Sequence, residues 1–334
     1  MDDSRTDIRI ALPSKGSLAS DSLKLLNNVG LQVYKPNPRQ YEATIPSLPG
    51  VSVLLQRAGD IAYSVRDGSV DFGITGFDVV NERCAKNHTV LVLLQELGYG
   101  HCTLNVIVPE NWESVHLMSD LYTWSKSKDR PIRVATKFPY LTRTFFNEHN
   151  IKDIQIIKAE GTLEIAPTIG YADVIVDLVS TGTTLRDNRL KIIADGEILA
   201  SQACLIANQS ALKTRPEVLK VARQLLEFSV AYLRASENLA IFANIRGSSP
   251  EHIAAQMFTK DVISGLQGPT ISPLITPQTE SWYAVHLIVR KDQLAQAISE
   301  LREIGGSGVV VTPVTYIFEE EPPAYQKMLA ALEK

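Results

Sequence analysis

Residues 173–185, with the sequence DVIVDLVSTGTTL, are the stretch from which the fold and the site of this chain are best predicted. Residues 172–179 are apolar apart from two aspartates and rich in Val and Ile, which is typical of a buried strand in a parallel sheet. Small residues that donate hydrogen bonds follow at 180–184, and a helix is expected to begin near Leu185. Because Gly182 allows a close approach, the N–H groups and hydroxyls of this turn can surround one anion. The stretch predicts a phosphate-binding turn, with an ordinary helix-capping Ser/Thr turn as the alternative.

Asp177 lies near the carboxyl end of this strand. An unpaired carboxylate inside a strand end would cost several kcal/mol, because water no longer solvates its charge. We therefore expect Asp177 to have a partner such as the hydroxyls of a ribose or a metal ion.

The composition is that of an ordinary globular chain. With 334 residues, 45% hydrophobic and 21% charged, it is long enough for two or three domains. A net charge of −4 without a basic run predicts no nucleic-acid partner. No apolar stretch reaches the roughly 18 residues of a membrane span, and the acidic start MDDSRTDIRI is unlike a signal or transit peptide. These features predict a cytoplasmic protein with no membrane partner, or a plastid protein if a transit peptide has been removed.

The cysteines and histidines predict no metal site. The three cysteines are widely spaced and form no CxxC pair, so we expect free thiols in a reducing compartment. The six histidines, His88 among them, show no metal-ligand spacing.

The larger N-terminal part of the chain alternates short apolar strands with amphipathic helices, which predicts an α/β fold with doubly wound sheets. Lys15 and Arg57 each follow a predicted strand, at the edge where open α/β sheets bind ligands. A solvated surface lysine is the alternative for Lys15. Phe138 and Tyr140 follow a later strand and could stack on a purine, with packing in the core as the alternative. The segment TLEIAPTIG, residues 162–170, is predicted to be a helix.

From Pro216 the pattern changes. A long amphipathic helix is followed by the order β-α-β-β-α-β, which is the ferredoxin-like plan. Its last strand is predicted to cover GVVVTPVTYIF, residues 308–318. Residues 265–273, GLQGPTISP, are rich in turn formers and predict a loop pocket for a small ligand, with a plain structural turn as the alternative.

The segment GTLEIAPTIGYADVIVDLVSTGTTL, residues 161–185, resembles the signature of the ATP phosphoribosyltransferases, the first enzymes of histidine biosynthesis. The matching positions are Glu164, Gly170, Ala172, Ile175, Asp177, Leu178, Thr181, Gly182, Thr184 and Leu185. Other segments resemble the family in the same order, namely ALPSKGSL, LLQRAGDIA, DFGITGFDVV, RVATKFPYLTR and GLQGPTISPL. The resemblance covers residues 8–318 approximately, in the long form with a regulatory domain, and is closest to the plant versions.

The resemblance implies the architecture. We expect two doubly wound lobes of the type II periplasmic-binding-protein kind, with a cleft between them, and a C-terminal ferredoxin-like (ACT-like) βαββαβ domain. The expected domains are a first catalytic lobe at 1–104, completed by about 204–225, a second catalytic lobe at 105–203, and a regulatory domain at 226–334.

The reaction that the resemblance implies is attack of an adenine ring nitrogen of ATP on the anomeric carbon of phosphoribosyl pyrophosphate, which displaces pyrophosphate. This chemistry requires positioning and charge stabilisation rather than a strong base. Magnesium is expected to accompany pyrophosphate and ATP, held mainly by the ligand and not by a protein metal site.

Family resemblance also implies the site residues. The 5-phosphate is assigned to Ser180, Thr181, Gly182, Thr183, Thr184 and Leu185. The ribose hydroxyls are assigned to Asp177 and Glu164. The pyrophosphate and the ATP phosphates are assigned to the catalytic residues Lys15, Arg39 and Arg57. The remaining substrate-binding residues are Asp71, Gly73, Gly76, Phe138 and Tyr140.

Regulation is implied in the same way. Histidine is expected as a feedback inhibitor that binds between regulatory domains of neighbouring subunits, at Leu266, Gly268, Thr270 and Ser272. The assembly is expected to be a homo-oligomer, from dimer to hexamer.

Two alternative functions remain at this point. A two-lobed solute-binding protein would share the fold. A type I phosphoribosyltransferase would share the D-x-x-x-T-G-x-T pattern, but that motif normally has two adjacent acidic residues, and Val176 stands beside Asp177 here.

Overall fold

The computed structural model describes residues 6–37, 39–85, 89–159, 161, 163–275 and 281–333. Residues 1–5 of the acidic start, His88, and Thr162, which opens the predicted helix, lie outside the described residues. The described chain forms two compact units, one of residues 1–224 and 324–334 and the other of residues 225–323. In the described part of the chain, no helix combines the length and the apolar character needed to cross a membrane.

The strands are named in chain order. They are β1 (Ile8–Pro13), β2 (Glu42–Thr44), β3 (Val51–Gln56), β4 (Phe72–Gly76), β5 (Val90–Leu94), β6 (Cys102–Pro109), β7 (Ile132–Thr136), β8 (Ile154–Lys158), β9 (Val174–Val179), β10 (Leu190–Ser201), β11 (Ala203–Asn208), β12 (Asn238–Arg246), β13 (Thr270–Pro273), β14 (Trp282–Arg290) and β15 (Gly306–Pro313).

The helices are named in the same way. They are α1 (Ser17–Asn28), α2 (Ala58–Arg66), α3 (Phe77–Cys84), α4 (Met118–Lys126), α5 (Pro139–Glu148), α6 (Thr183–Asp187), α7 (Gln209–Thr214), α8 (Pro216–Ser236), α9 (Pro250–Phe258), α10 (Leu294–Glu303) and α11 (Pro323–Leu332).

The first unit contains two sheets, which define its first and second lobes. The first lobe has the strand order β2-β3-β1-β4-β11-β5, with β1 parallel to both β3 and β4. The second lobe has the order β10-β6-β9-β7-β8, with β7 parallel to both β8 and β9. The chain enters the second sheet after β5 and returns to the first with β11, which is antiparallel to β4 and β5. Parallel strands end at the same edge of each sheet, so the loops that follow them meet there.

The second unit contains one antiparallel sheet in the order β13-β14-β12-β15. Its inner face carries apolar residues such as Ile241, Val285 and Leu287, which pack with Ile253 of α9 and Leu301 of α10. This order and the β-α-β-β-α-β succession are those of a ferredoxin-like fold. The predicted fold class, two α/β lobes followed by a ferredoxin-like domain, is therefore confirmed.

The predicted helix over 162–170 is wrong. A single 3₁₀ turn covers Leu163–Ile165, and turns follow it. Pro167 has no N–H to donate to an α-helix, and Gly170 takes a φ of +71°, outside the helical region.

The last predicted strand ends early. β15 stops at Pro313 instead of reaching Phe318. Proline ends the ladder because it has no N–H, and the later Ile317 N–H bonds the carbonyl of Ala231 in α8 (3.1 Å).

The C-terminal helix belongs to the first unit, although the predicted third domain ran to residue 334. Gln209 Nε2 donates to the carbonyl of Ala331 (3.4 Å), and the Arg223 guanidinium lies 5.2 Å from the centre of the Tyr325 ring. The division into three domains stays a prediction.

Candidate functional site

The turn after β9 has the form that the sequence predicts. Gly182 precedes α6 with φ of +70° and ψ of 3°, a left-handed conformation that favours glycine. α6 begins at Thr183, slightly before the expected start near Leu185. The Thr181 and Thr183 hydroxyls lie 3.2 Å apart. Leu185 is buried against the core of the second lobe and anchors the turn.

A cavity of about 220 Å³ opens at this turn, and we call it the turn cavity. It brings together most of the residues assigned to the phosphoribosyl group, namely Glu164, Asp177, Ser180, Thr181, Gly182, Thr184 and Leu185. Thr183 is not among the lining residues, and it contacts the cavity wall through the hydroxyl of Thr181. The lining residues offer both hydroxyl donors and carboxylates, a combination that suits a sugar phosphate.

The Asp177 carboxylate is half-buried. Burial raises the pKa of this carboxyl, while a hydrogen bond from the Leu178 N–H (2.8 Å) and the charge of Lys137 lower it. Glu164 adds a second negative charge that raises the pKa further. Among the described residues, the Leu178 N–H is the one hydrogen-bond donor to Asp177, so the carboxylate keeps acceptor sites for a ligand.

The three predicted cationic residues lie at the carboxyl edge of the first sheet. Pro13 pairs with Gln56, so Lys15 and Arg57 follow neighbouring strands. The carbonyl of Tyr41 accepts a hydrogen bond from the Leu55 N–H (2.8 Å), which places Arg39 beyond the same edge. All three cationic side chains are exposed.

A larger cavity of about 610 Å³ lies between the two lobes, and we call it the interlobe cavity. Of the predicted residues, Arg57 lines it, whereas Lys15 and Arg39 do not. The other charged residues that line it were not predicted from the sequence; they are Asp60, Glu82, Arg83, Lys137 and Lys158. The feature that led to Lys15, a lysine at the carboxyl end of a strand, is also present at Lys137 and Lys158, which lie at the carboxyl ends of β7 and β8.

Glu82 connects the two lobes. Its carboxylate in α3 accepts hydrogen bonds from the N–H groups of Tyr140 (2.9 Å) and Leu141 (3.0 Å), which belong to the first turn of α5. Burial raises the pKa of the Glu82 carboxyl, and these two hydrogen bonds oppose the rise. Glu82 therefore occupies the place that a helix N-terminus would otherwise offer to an anion.

Asp71 lies away from the other predicted residues. It precedes β4, at the amino end of the strand, and only 1% of its surface is exposed. Its carboxylate accepts hydrogen bonds from the Arg9 N–H (2.9 Å) and from Arg215 Nη1 (3.0 Å). The structure gives Asp71 a role in holding the first lobe together rather than a place at the ligand edge.

Two other predicted residues are packed in cores. A Cβ on Gly73 would lie 2.4 Å from Ile61 Cγ2, so this glycine allows α2 to pack closely on β4. Phe138 belongs to the core of the second lobe, as the alternative interpretation of this residue had it. Tyr140 is half-buried and contacts Glu82 through its N–H.

Gly76 ends β4 at the carboxyl edge, as predicted for a residue of the cleft. A Cβ there would lie 2.3 Å from Asp78 Oδ1, so any other residue would displace that carboxylate. Asp78 is buried and accepts a hydrogen bond from the Ser201 hydroxyl (2.7 Å).

The second unit has a cavity of about 220 Å³ of its own, here called the C-terminal cavity. Leu266, Gly268 and Thr270 of the predicted histidine loop line it, whereas Ser272 does not. Gly265 and Gly268 have φ of +75° and +103°, which explains why this loop is rich in glycine.

Other elements complete this cavity. Arg234 of α8, His286 of β14 and Phe318 contribute to its wall. Arg234 forms an ion pair with Glu319, and the His286 ring stacks on Phe242 at 4.4 Å between ring centroids.

Comparisons with known proteins identify the family of the chain. The profile of the ATP phosphoribosyltransferase family matches residues 57–227, and that of the C-terminal domain of HisG matches residues 235–316. The chain is 42% identical to "ATP phosphoribosyltransferase 2, chloroplastic" of Arabidopsis thaliana, over 98% of this chain and 81% of the relative. It is 34% identical to the ATP phosphoribosyltransferase of Rhodopseudomonas palustris strain HaA2, over 97% and 98% of the two chains.

A solved structure is similar in fold. It is the ATP phosphoribosyl transferase (HisG:HisZ) complex from Thermotoga maritima, with a TM-score of 0.53 and 23% identity. The alignment covers 67% of this chain and 98% of that one, and at this identity the likeness concerns the fold alone.

Proposed function

The chain belongs to the ATP phosphoribosyltransferase family, and from this premise we propose that the turn cavity binds the phosphoribosyl group of the substrate. Enzymes of this family are transferases of histidine biosynthesis, in which an adenine ring nitrogen of ATP displaces pyrophosphate from phosphoribosyl pyrophosphate to give phosphoribosyl-ATP. The comparisons do not favour a solute-binding protein.

One observation carries the proposal: a single cavity is lined by the hydroxyl-rich turn, by the left-handed Gly182 and by two carboxylates. The hydroxyls of Thr181 and Thr184 and the N–H groups of the turn would bind the 5-phosphate. Asp177 and Glu164 would accept hydrogen bonds from the ribose hydroxyls, which donate well to a carboxylate. The adenine nitrogen already has a lone pair, so the protein's contribution is to position the two substrates and to stabilise the charge on the departing pyrophosphate.

Magnesium is part of the proposal as a companion of the pyrophosphate and of ATP. The described residues contain no group of three His, Cys, Asp or Glu side chains that could hold a metal ion. The carboxylates of the turn cavity are Asp177 and Glu164, and oxygen donors of this kind suit Mg²⁺. Phosphate oxygens and water would supply the rest of the coordination.

Histidine is proposed to bind in the C-terminal cavity as an inhibitor, in an oligomer of two to six subunits. Support comes from Arg234, which lines the same cavity as the predicted loop. Its guanidinium binds the Glu319 carboxylate in this structure, and the carboxylate of histidine would take the place of Glu319. This cavity and the turn cavity belong to different units of the chain, so the inhibition would be allosteric. Location in the cytoplasm or in a plastid is part of the proposal; the Arabidopsis thaliana relative is named chloroplastic.

The substitution Asp177→Asn tests the site. It keeps the shape of the side chain but removes the charge that orients the ribose hydroxyls. Because a hydrogen bond to a charged group contributes about 1.5–3 kcal/mol, we expect kcat/KM for phosphoribosyl pyrophosphate to fall about tenfold to a hundredfold. The matched control is Asp153→Asn, an exposed aspartate of the same lobe outside both cavities.

The readout is the formation of phosphoribosyl-ATP and pyrophosphate at varied concentrations of each substrate. Ribose 5-phosphate should compete with phosphoribosyl pyrophosphate in the wild type and less well in the variant. Equal kinetic constants for Asp177→Asn and Asp153→Asn would show that Asp177 does not bind the substrate.

A further inference from the structure

The interlobe cavity has an excess of positive charge. Four cationic side chains line it, Arg57, Arg83, Lys137 and Lys158, against the carboxylates of Asp60 and Glu82. Both carboxylates have favourable surroundings, because Asp60 lies in the first turn of α2 and Glu82 binds the first turn of α5. The cavity is therefore prepared for an anion with several charges.

Lys137 and Lys158 are available to such an anion. Both side chains are exposed, and neither forms a hydrogen bond or an ion pair with the described residues. The other anion-binding group at this edge would be the N-terminus of α5, but Glu82 already occupies it. The lysines are thus the groups of the second lobe that remain to meet negative charge in this cavity.

The strand register places Lys137 beside the turn cavity and Lys158 one strand further away. Thr136 pairs with Val176 of β9 on one side and with Lys158 of β8 on the other. Lys137 is therefore level with Asp177, at the spacing of neighbouring strands of about 4.8 Å, and Lys158 lies one strand further. The order across the sheet edge is Lys158, Lys137 and then Asp177.

The groups of the substrate can be compared with the order of these side chains along the sheet edge. In phosphoribosyl pyrophosphate, the carbon that carries the pyrophosphate is bonded to the carbon that carries the 2-hydroxyl. A ribose whose hydroxyls bind Asp177 therefore presents its pyrophosphate within a few ångströms of that carboxylate, on the side away from the 5-phosphate. Helix α6, which follows the turn, contacts β10 on one side of β9, whereas the two lysines follow β7 and β8 on the other side.

We propose that Lys137 and Lys158 bind the pyrophosphate group of phosphoribosyl pyrophosphate from the second lobe, while Arg57 binds it from the first; this inference rests on the proposed function. When the bond between the anomeric carbon and oxygen breaks, its electron pair stays on the pyrophosphate, and the new bond forms from the adenine nitrogen. The ammonium groups stabilise the negative charge that the leaving group gains.

The test measures binding of two probes to the full chain by calorimetry in the presence of magnesium. Inorganic pyrophosphate probes the lysines, and ribose 5-phosphate probes the turn cavity alone. The variants are Lys137→Gln, Lys158→Gln and the double substitution, and the matched control is Lys152→Gln, an exposed lysine of the same lobe outside the cavity.

We expect each single variant to bind pyrophosphate about tenfold more weakly and the double variant about a hundredfold more weakly, as for a lost charge-assisted hydrogen bond. Affinity for ribose 5-phosphate should not change, and Lys152→Gln should behave as the wild type with both probes. Lys137→Arg should restore part of the pyrophosphate affinity because it restores the charge. Increasing salt should weaken pyrophosphate binding less in the double variant than in the wild type.

The proposal is overturned if the double variant binds pyrophosphate as tightly as Lys152→Gln does, or if the wild type does not bind pyrophosphate. It is also overturned if both probes lose affinity equally, because that result indicates a general structural effect. Failure of the proposed function would instead appear as an Asp177→Asn enzyme with unchanged kinetics, a measurement independent of pyrophosphate binding.

Discussion

Replacing Thr184 by valine removes one hydroxyl from the turn cavity at nearly constant side-chain volume. Thr184 is exposed and lines the cavity, and its carbonyl accepts hydrogen bonds from the N–H (3.2 Å) and Nδ2 (2.8 Å) of Asn188. These bonds involve the backbone of Thr184, so valine leaves them intact. Valine and threonine also have similar helix propensities, so α6 should keep its structure.

The loss should appear in the complex with substrate. A hydrogen bond to a charged group contributes about 1.5–3 kcal/mol, and the N–H groups of the turn remain as donors to the phosphate. We therefore expect the lower end of this range, an increase of about tenfold in Kd for phosphoribosyl pyrophosphate. The KM for ATP should not change, because the assigned ATP contacts lie elsewhere.

The assay is calorimetric titration of phosphoribosyl pyrophosphate with magnesium, followed by steady-state kinetics. Thr123→Val is the matched control, because Thr123 lies in α4 of the same lobe and its hydroxyl donates to the carbonyl of Ser119 (3.0 Å). Thermal unfolding checks that both variants fold. An unchanged Kd in Thr184→Val, in a protein with wild-type unfolding, would refute the assignment of this turn to the 5-phosphate.

Three further predictions concern other parts of the chain. Arg57→Ala should lower kcat about tenfold to a hundredfold and raise either KM by less, because it removes the positive charge that stabilises the leaving group. A change in the KM for ATP alone would instead assign Arg57 to nucleotide binding. Thr270→Ala should weaken histidine binding in calorimetry about fivefold, and histidine and substrate should lower each other's affinity by the same factor; competition at one site would contradict the allosteric proposal. Asp173→Asn should destabilise the first unit by about 2 kcal/mol in urea unfolding at neutral pH, because Asp173 binds the guanidinium groups of Arg130 (2.6 Å) and Arg133 (2.9 Å), both partly exposed. Burial alone would raise the pKa of the Asp173 carboxyl, but the hydrogen bonds from the two arginines lower it overall. The folded chain then binds fewer protons than the unfolded chain, so the difference in the free energy of unfolding between wild type and variant should shrink as the pH falls below about 4. A difference that stays constant over this pH range would contradict the prediction.

The features that local sequence determines were predicted well. The strand and turn at 173–185 follow from a run of branched apolar residues and a left-handed glycine, both local properties. The ferredoxin-like order of the second unit follows from the periodicity of its strands and helices. The helix predicted over 162–170 failed for a local reason that was visible in the sequence, because Pro167 lies in its middle.

The features that depend on distant partners were not predictable. Asp71 was assigned to the substrate because of the segment around it, but its partner Arg215 lies far along the chain and fixes it in the first lobe. Glu82 caps a helix of the other lobe, and no pattern around it indicates that contact. Phe138 could be judged only when the core around it was known. The sequence indicates which residues lie at a sheet edge, whereas the fold determines which of them come into contact.

A crystal structure of the protein with phosphoribosyl pyrophosphate and magnesium would show directly where the phosphoribosyl group binds. We expect the 5-phosphate on the turn at 180–184, the ribose hydroxyls within hydrogen-bond distance of Asp177 and Glu164, and the pyrophosphate in the interlobe cavity between Arg57 and Lys137. A phosphoribosyl group bound elsewhere, with the turn cavity filled only by water, would contradict it.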